Sequence, residues 1–274
     1  MSMQDMPPRN ESTLRAVLGV IGWCGLGVIA VAASLSDFLA HAPVGATLVG
    51  PMLDAPSVDH LFGTDLLGRD ILSETLHGLS VTFGHALEAA LAAILAGGLF
   101  GAASARLPRF AGWILRWIIG VLAAIPVLLL AILAIGLTVR GFAPLAAGLA
   151  AAPLAFVRAF DRADSQNRSA HAEFARATGI SATALLRRDL TYELRAGIAS
   201  LAVRALAAVT IILSTVSFLG FGATPPQRDL GLMIAAAKAN YIHAWWTAAF
   251  PALVLLILIL CARLAAGLDE GERP

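Results

Sequence analysis

Long charge-free apolar runs alternate with polar stretches along this chain, and their lengths set the first expectation. A helix crossing the roughly 30 Å hydrocarbon core of a bilayer needs about 20 apolar residues. Six runs are candidates: AVLGVIGWCGLGVIAVAASLS at 16–36, a second over about 80–105 interrupted by Glu88, a third from Trp117 to Val139, the short Ala-rich GFAPLAAGLAAAPLAFV at 141–157, a fifth over about 197–219 with Arg204 near its start, and a sixth at 242–262. No run alternates polar and apolar residues at period two over barrel-strand lengths, which predicts a bundle rather than a barrel. The pattern is that of an all-α membrane protein with six transmembrane helices.

The first run follows Arg9 and Arg15 and carries AVAAS near its end, a sequence that passes for a signal-peptidase site. Signal-peptide cores run about 7–15 residues, and this one is longer, so it is read as a membrane helix. The expected organisation is 1–36 as cytoplasmic N-terminus and first span, 37–79 as an external loop with a short amphipathic helix, and 80–274 as a five-helix core with a cytoplasmic loop at 158–197.

Composition strengthens this reading. Over 274 residues the chain is 58% hydrophobic and 14% charged, with a mean hydropathy of +0.80, too apolar for a soluble domain of this size. The cations then set the orientation. With the N-terminus inside, fifteen arginines fall on the cytoplasmic side, against Arg69, Arg140, Arg228 and Lys238 outside. That asymmetry predicts both termini in the cytoplasm. A formal net charge of +1 with no basic cluster gives no footprint for nucleic acid.

Enzyme chemistry finds little support. Cys24 and Cys261 both lie within predicted helices and read as two unpaired, buried thiols that pack as small apolar groups. The histidines at 41, 60, 77, 85, 171 and 243 form no ligand-like cluster, so no metal site is assigned. A P-loop needs a Gly-rich turn ending in Lys and Ser or Thr, yet the only lysine is Lys238, in AAAKANY. Nucleotide energy would have to arrive through a partner.

The loop RAFDRADSQNRSAHAEFARATGISATALLRRDLTYELRAG at 158–197 reads as two short helices around a bend. Ala, Glu and Arg favour helix through AHAEFARAT, Gly179 suits a left-handed terminus, and Ser181 can cap the next helix. On pattern alone this is either a docking element or a solvated hairpin.

Three segments carry a resemblance to a known family. EFARATG at 173–179 resembles the E-A-A, three residues, Gly signature in the last cytoplasmic loop of ABC-importer permeases. HLFGTDLLGRD at 60–70 resembles the segment after the first helix of the C-type permease of dipeptide, oligopeptide and nickel importers, and FLGFGATPPQRDLGLMIAAAKANY at 218–241 resembles the stretch before the last helix of the same subunits. The chain departs from the pattern at Phe174, Tyr192 and Leu230, where Ala, Pro and Trp are usual.

The resemblance implies a six-helix type I ABC importer permease (MetI-like) fold, with the translocation path formed together with a homologous permease. It implies two ATP-binding subunits, which use ATP and Mg, and an extracytoplasmic solute-binding protein; this chain binds no cofactor itself. Glu173, Ala175, Arg176, Ala177 and Gly179 would form the ATPase-coupling element, and Gly63, Thr64, Asp65, Gly68, Arg69 and Asp70 the external loop motif. The solute would be a peptide, nickel, a metal chelate or another small molecule. A stand-alone channel or ion-coupled carrier is the alternative of a different class.

Residue patterns add detail. Thr64 and Asp65 are good N-caps, and Leu67, Ile71, Leu72, Leu76 and Leu79 follow at helical spacing, which predicts a short amphipathic helix with an Asp65–Arg69 ion pair. It would serve as a docking ledge or gate support, or stiffen the rim of the bundle. Gly19, Gly22 and Gly25 in the first span, and Gly97 and Gly101 in the second, permit close helix approach. Pro126 is expected to kink the third span, while Trp245 and Trp246 are expected in an aromatic belt anchoring the sixth. Glu88, with His85 three residues before it, either lines the solute path or is a structural group near the outer interface.

Overall fold

The computed structural model describes residues 9–104, 107–137, 143–167, 198–222 and 227–267, and these are helical with no β-sheet beyond one isolated bridge. In chain order the helices are α1 (Arg9–Ser34), α2 (Ser36–Leu39), α3 (Ile71–Ala93), a π-helical segment (Ile94–Leu99), α4 (Phe100–Ser104), α5 (Arg109–Ala124), α6 (Val127–Leu137), α7 (Ala143–Asn167), α8 (Ile198–Phe218), α9 (Leu230–Ala236) with a 3₁₀ turn (Ala237–Ala239), and α10 (Trp246–Gly267). Among the described residues, four stretches are long and apolar enough to cross a membrane: Ala16–Ser34, Ile71–Gly98, Ala143–Asp161 and Trp246–Gly267. The bent pair Phe110–Ala124 and Val127–Leu137 makes a fifth if counted as one span, and the apolar stretch Ala202–Phe218 is shorter. This is an all-α, multi-pass membrane architecture.

Two compact units are present, one from Met1–Ala86 with Leu206–Pro274, the other Leu87–Ala205. In the first, α1 lies along α10 because glycine removes the side chains that would hold them apart. A Cβ on Gly22 would meet the backbone nitrogen of Ala265 and, at 2.8 Å, the carbonyl of Cys261; one on Gly25 would meet Cys261 Sγ. The short α9 is wedged between α3 and α8 by the same device. Gly231 abuts the Ser214 carbonyl of α8, while Gly78 of α3 leaves room for Met233 Sδ, 3.0 Å from where a Cβ would stand.

In the second unit, Gly97 and Gly101 face α7. A Cβ on Gly97 would strike the Ala152 carbonyl and lie 2.7 Å from Ala155 Cβ; one on Gly101 would lie 2.5 Å from the Phe156 carbonyl oxygen. Gly148 of α7 in turn faces the Ala89 carbonyl. Of the glycines expected to allow close contact, Gly22, Gly97 and Gly101 do so against backbone and Gly25 against the Cys261 side chain, which is how helices associate where lipid supplies no hydrophobic drive. Pro126 breaks the third apolar run outright. Residues before proline avoid the α region, and Ile125 sits at φ −72°, ψ 133°, ending α5. The Pro126 carbonyl then accepts from the Leu129 N–H (2.9 Å) to start α6, and the two helices meet at 92°.

Two expectations need correction. The expected amphipathic helix from Thr64 does not form: 62–70 is a folded turn, and the helix begins at Ile71 and continues directly into the second apolar span. Asp70 is its N-cap, with Oδ2 accepting from the Ser73 N–H (2.8 Å) and hydroxyl (2.7 Å). The last span begins at Trp246 rather than 242, and Trp246 is buried in a cluster with Ile71 and Ala244, not set in an outward-facing belt. Trp245 beside it is exposed.

Candidate functional site

Residues 40–70 form an ordered loop whose backbone closes on itself. Gly63 and Gly68 both have positive φ, 72° and 65°, a conformation glycine adopts without penalty. These two reversals bring Thr64 opposite Asp70 as an antiparallel bridge, with Asp65 N–H donating to the Arg69 carbonyl (3.0 Å) and Ile71 N–H to the Gly63 carbonyl (3.0 Å). The Gly68 carbonyl accepts from Val49 (2.9 Å) and Gly50 (3.1 Å), so the turn is stitched to the preceding 48–54 segment. Neither glycine tolerates a side chain. A Cβ on Gly63 would stand 2.6 Å from the Asp54 carbonyl and 2.7 Å from Trp246 Nε1, and one on Gly68 2.5 Å from the Gly50 carbonyl.

Polar side chains fill the inside of this turn. Thr64 is fully buried, its Oγ1 accepting from Asp54 N–H (2.8 Å). Asp65 Oδ1 accepts from the Leu67 (2.8 Å) and Arg69 (3.0 Å) backbone N–H groups, and its Oδ2 from Arg69 Nε (2.7 Å). The expected Asp65–Arg69 pair thus exists, across a turn instead of along a helix face. Asp70 is buried and lies 3.2 Å from His60 Nδ1 through Oδ1. Its partner Ser73 passes the connection on, its Oγ accepting from His41 N–H (3.0 Å) and Ala42 N–H (3.2 Å). Glu74 Oε1 accepts from Gly45 N–H (2.9 Å), and His77 Nε2 donates to the Ala42 carbonyl (3.3 Å). The six motif residues therefore belong to one buried network, since a polar group withdrawn from water is costly unless each donor and acceptor is met.

The late motif meets the same helix from the other end of the sequence. Asp229 is buried, receives the Ser217 hydroxyl at Oδ1 (2.5 Å) and Oδ2 (2.6 Å), and caps α9 by accepting from Leu232 N–H (2.9 Å). Leu230 N–H donates to Thr82 Oγ1 of α3 (3.0 Å). Arg228, just before this anchored pair, is half-buried. Its pKa lies below the usual arginine value, first because burial disfavours the charge, then because Arg69 repels it, with Glu74 and Asp65 pulling the other way. Arg228 and the buried Ser217–Asp229 contact were not anticipated; the run PPQRD signalled a turn and a cap, but nothing local paired Asp229 with Ser217.

The other expected site residues lie elsewhere. Glu88 and His85 sit three residues apart on α3, Glu88 exposed and His85 half-buried, and Glu88 makes no ion pair among the described residues. Glu173, Ala175, Arg176, Ala177 and Gly179 lie outside the described residues. Among the described residues no group of three or more His, Cys, Asp or Glu could hold a metal ion.

Comparison with known proteins fits this layout. Residues 77–268 match the family model of the binding-protein-dependent transport system inner membrane component. The peptide transport system permease protein SapC of Escherichia coli O6:H1 is 28% identical over 270 residues, covering 96% of this chain and 89% of the relative. The glutathione transport system permease protein GsiD of Escherichia coli O6:K15:H31 is 30% identical over 231 residues, 81% of this chain and 74% of the relative. The di/tripeptide transport system permease protein DppC of Pseudomonas aeruginosa is 28% identical over 229 residues, again 81% and 74%. With most of its length matched, the chain belongs to the binding-protein-dependent transport system inner membrane component family and is a C-type ABC-importer permease, a multi-pass inner-membrane transport subunit rather than an enzyme.

Proposed function

We propose that this permease forms, with a homologous permease, the translocation path of an ATP-driven importer of di- and oligopeptides or similar small solutes. The observation that carries the substrate class is the extended match to permeases of peptide, di/tripeptide and glutathione systems. Counting the α5–α6 pair and α8 as spans is consistent with six transmembrane helices in the type I arrangement, and the distribution of arginines supports both termini inside. The 37–79 segment is then external, its buried network a rigid rim on which a solute-binding protein can settle.

Two ATP-binding subunits, using ATP and Mg, complete the assembly on the cytoplasmic side. Glu173, Ala175, Arg176, Ala177 and Gly179 in the 158–197 loop form the element that docks one of them. Glu88 and His85 line the solute path. The test is uptake of radiolabelled alanyl-alanine into vesicles holding the purified complex. ATP-dependent uptake that vanishes without the ATP-binding subunits supports the reading; uptake by the permeases alone points to a channel or ion-coupled carrier.

A further inference from the structure

Helix α5 is tied to α7 along one face and cut off from α6 at one end. Gly112 and Arg116, a helical turn apart, share the face that meets Phe160 and Asp161 of α7. A Cβ on Gly112 would stand 3.8 Å from Phe160 Cε2. One turn on, Arg116 Nη2 lies 2.8 Å from Asp161 Oδ1, and its guanidinium carbon is 5.6 Å from the centre of the Phe160 ring. The guanidinium is thus held both by a carboxylate and by an aromatic face. Phe160 is itself buried and stacked on the buried Phe156, ring centroids 6.0 Å apart. The α7 side of the contact is therefore anchored in the packed interior, while Phe110, Trp113, Trp117 and Val121 of α5 are exposed.

At its other end α5 has a joint. Its backbone ladder stops where Ile125 N–H donates to the Leu122 carbonyl (3.2 Å), and that of α6 starts where Leu129 N–H donates to the Pro126 carbonyl (2.9 Å). Pro126 has no N–H with which to carry the ladder across, and the helices meet at 92°. Element ends of this kind absorb rotations that a continuous helix resists. The direction of α5 is then set by its contact with α7. Beyond Pro153, α7 runs as one helix through Phe160 and Asp161 to Asn167, and so into the 158–197 loop. Both members of the ion pair are half-exposed, so it contributes little to stability. What it does supply is direction, because it obliges α5 to follow this end of α7.

We infer that Arg116 and Asp161 are positioning residues that transmit movement of the 158–197 loop, through the end of α7, to α5, which swings on the Ile125–Pro126 joint. The inference rests on the importer reading, in which an ATP-binding subunit docks on that loop. It supplies the link within this chain from the docked subunit to the bent third span.

The experiment uses the complete complex in proteoliposomes and reads the alanyl-alanine taken up per ATP hydrolysed. Arg116→Glu and Asp161→Arg each set like charges together. Both variants are expected to assemble and to hydrolyse ATP, while uptake per ATP falls about fivefold, the low end of coupling between two sites. The double variant rebuilds the pair in reverse and should recover to within about twofold of wild type, a rescue that independent effects at the two positions would not give. Wild-type uptake per ATP in both single variants, or no recovery in the double, overturns the inference. A second measurement needs no charge change: spin labels at the exposed positions Trp113 and Leu133, with Cys24 and Cys261 replaced by alanine, report the α5–α6 distance. That distance should change when ATP is added to the otherwise unaltered complex. A constant distance overturns the swing of α5, even where the charge variants fail to assemble. Absence of ATP-driven uptake in wild type instead overturns the importer reading, so the two failures are told apart.

Discussion

Trp246 Nε1 donates a hydrogen bond to the Thr64 carbonyl at 3.2 Å, joining residues 182 positions apart in sequence. This contact ties the 63–70 turn to the first residue of the last helix, and the stack of Phe62 on Phe250, with ring centroids 4.1 Å apart, lies beside it. The turn is thereby held against α10 by one polar and one aromatic contact.

Trp246→Phe is expected to keep most of the apolar packing and leave the buried carbonyl short of a donor, a loss of about 1–3 kcal/mol. Gly63→Ala should be worse, because it combines a strained φ of 72° with a Cβ 2.6 Å from the Asp54 carbonyl. Limited proteolysis within 41–61, alongside the thermal unfolding midpoint of the solubilised protein, reads both. An unaltered cleavage rate in Gly63→Ala would show that the turn does not depend on that backbone conformation.

Close helix approach gives a second prediction with an internal control. Gly97 faces the Ala152 carbonyl, whereas a Cβ on Gly120 in α5 would meet nothing within 4 Å. Gly97→Ala is expected to force the π-helical segment Ile94–Leu99 away from α7 and lower stability by about 1–3 kcal/mol. Gly120→Ala should be neutral or slightly stabilising, since alanine is the better helix former. Equal thermal shifts for the two variants would count against backbone contact at Gly97.

Which features were legible follows from whether their cause is local. Pro126 breaks its run because proline constrains itself and the residue before it, so the break could be read from sequence, although the 92° angle could not. Gly97 and Gly101 were readable as contact sites, but not the helix they meet. The 63–70 turn was misread because Thr64 and Asp65 are competent caps by type, while Gly63 and Gly68, five residues apart, reverse the chain and pass the cap to Asp70. The two glycines were the available signal. Trp246 was assigned to a belt by composition; the distant Thr64 carbonyl and Ile71 side chain, invisible locally, draw it inward.

The 158–197 loop yields a prediction about coupling. If Gly179 ends a docking helix in a left-handed conformation, Gly179→Val blocks that bend and misdirects the element meeting the ATP-binding subunit. Uptake by the reconstituted complex should fall about tenfold, the equivalent of losing about 1.4 kcal/mol of productive docking, with membrane insertion normal. Unchanged transport-linked ATPase activity would remove Gly179 from the coupling role.

Glu88 is an exposed carboxylate on an apolar helix, with no ion pair among the described residues. An ionised group facing lipid near mid-bilayer costs about 3 kcal/mol by insertion scales, so the assembled transporter must turn it toward protein or water. A place on the solute path meets that requirement and gives the carboxylate a cationic partner, the peptide N-terminus or a basic side chain. Glu88→Gln keeps the shape and hydrogen-bonding capacity of the side chain and removes its charge. Uptake of lysyl-alanine is therefore expected to fall several-fold more than that of alanyl-alanine, with the complex still assembling. An equal fall for both dipeptides, or loss of assembly alone, would make Glu88 a packing residue at a subunit boundary, because only a charge facing the solute can distinguish one dipeptide from the other.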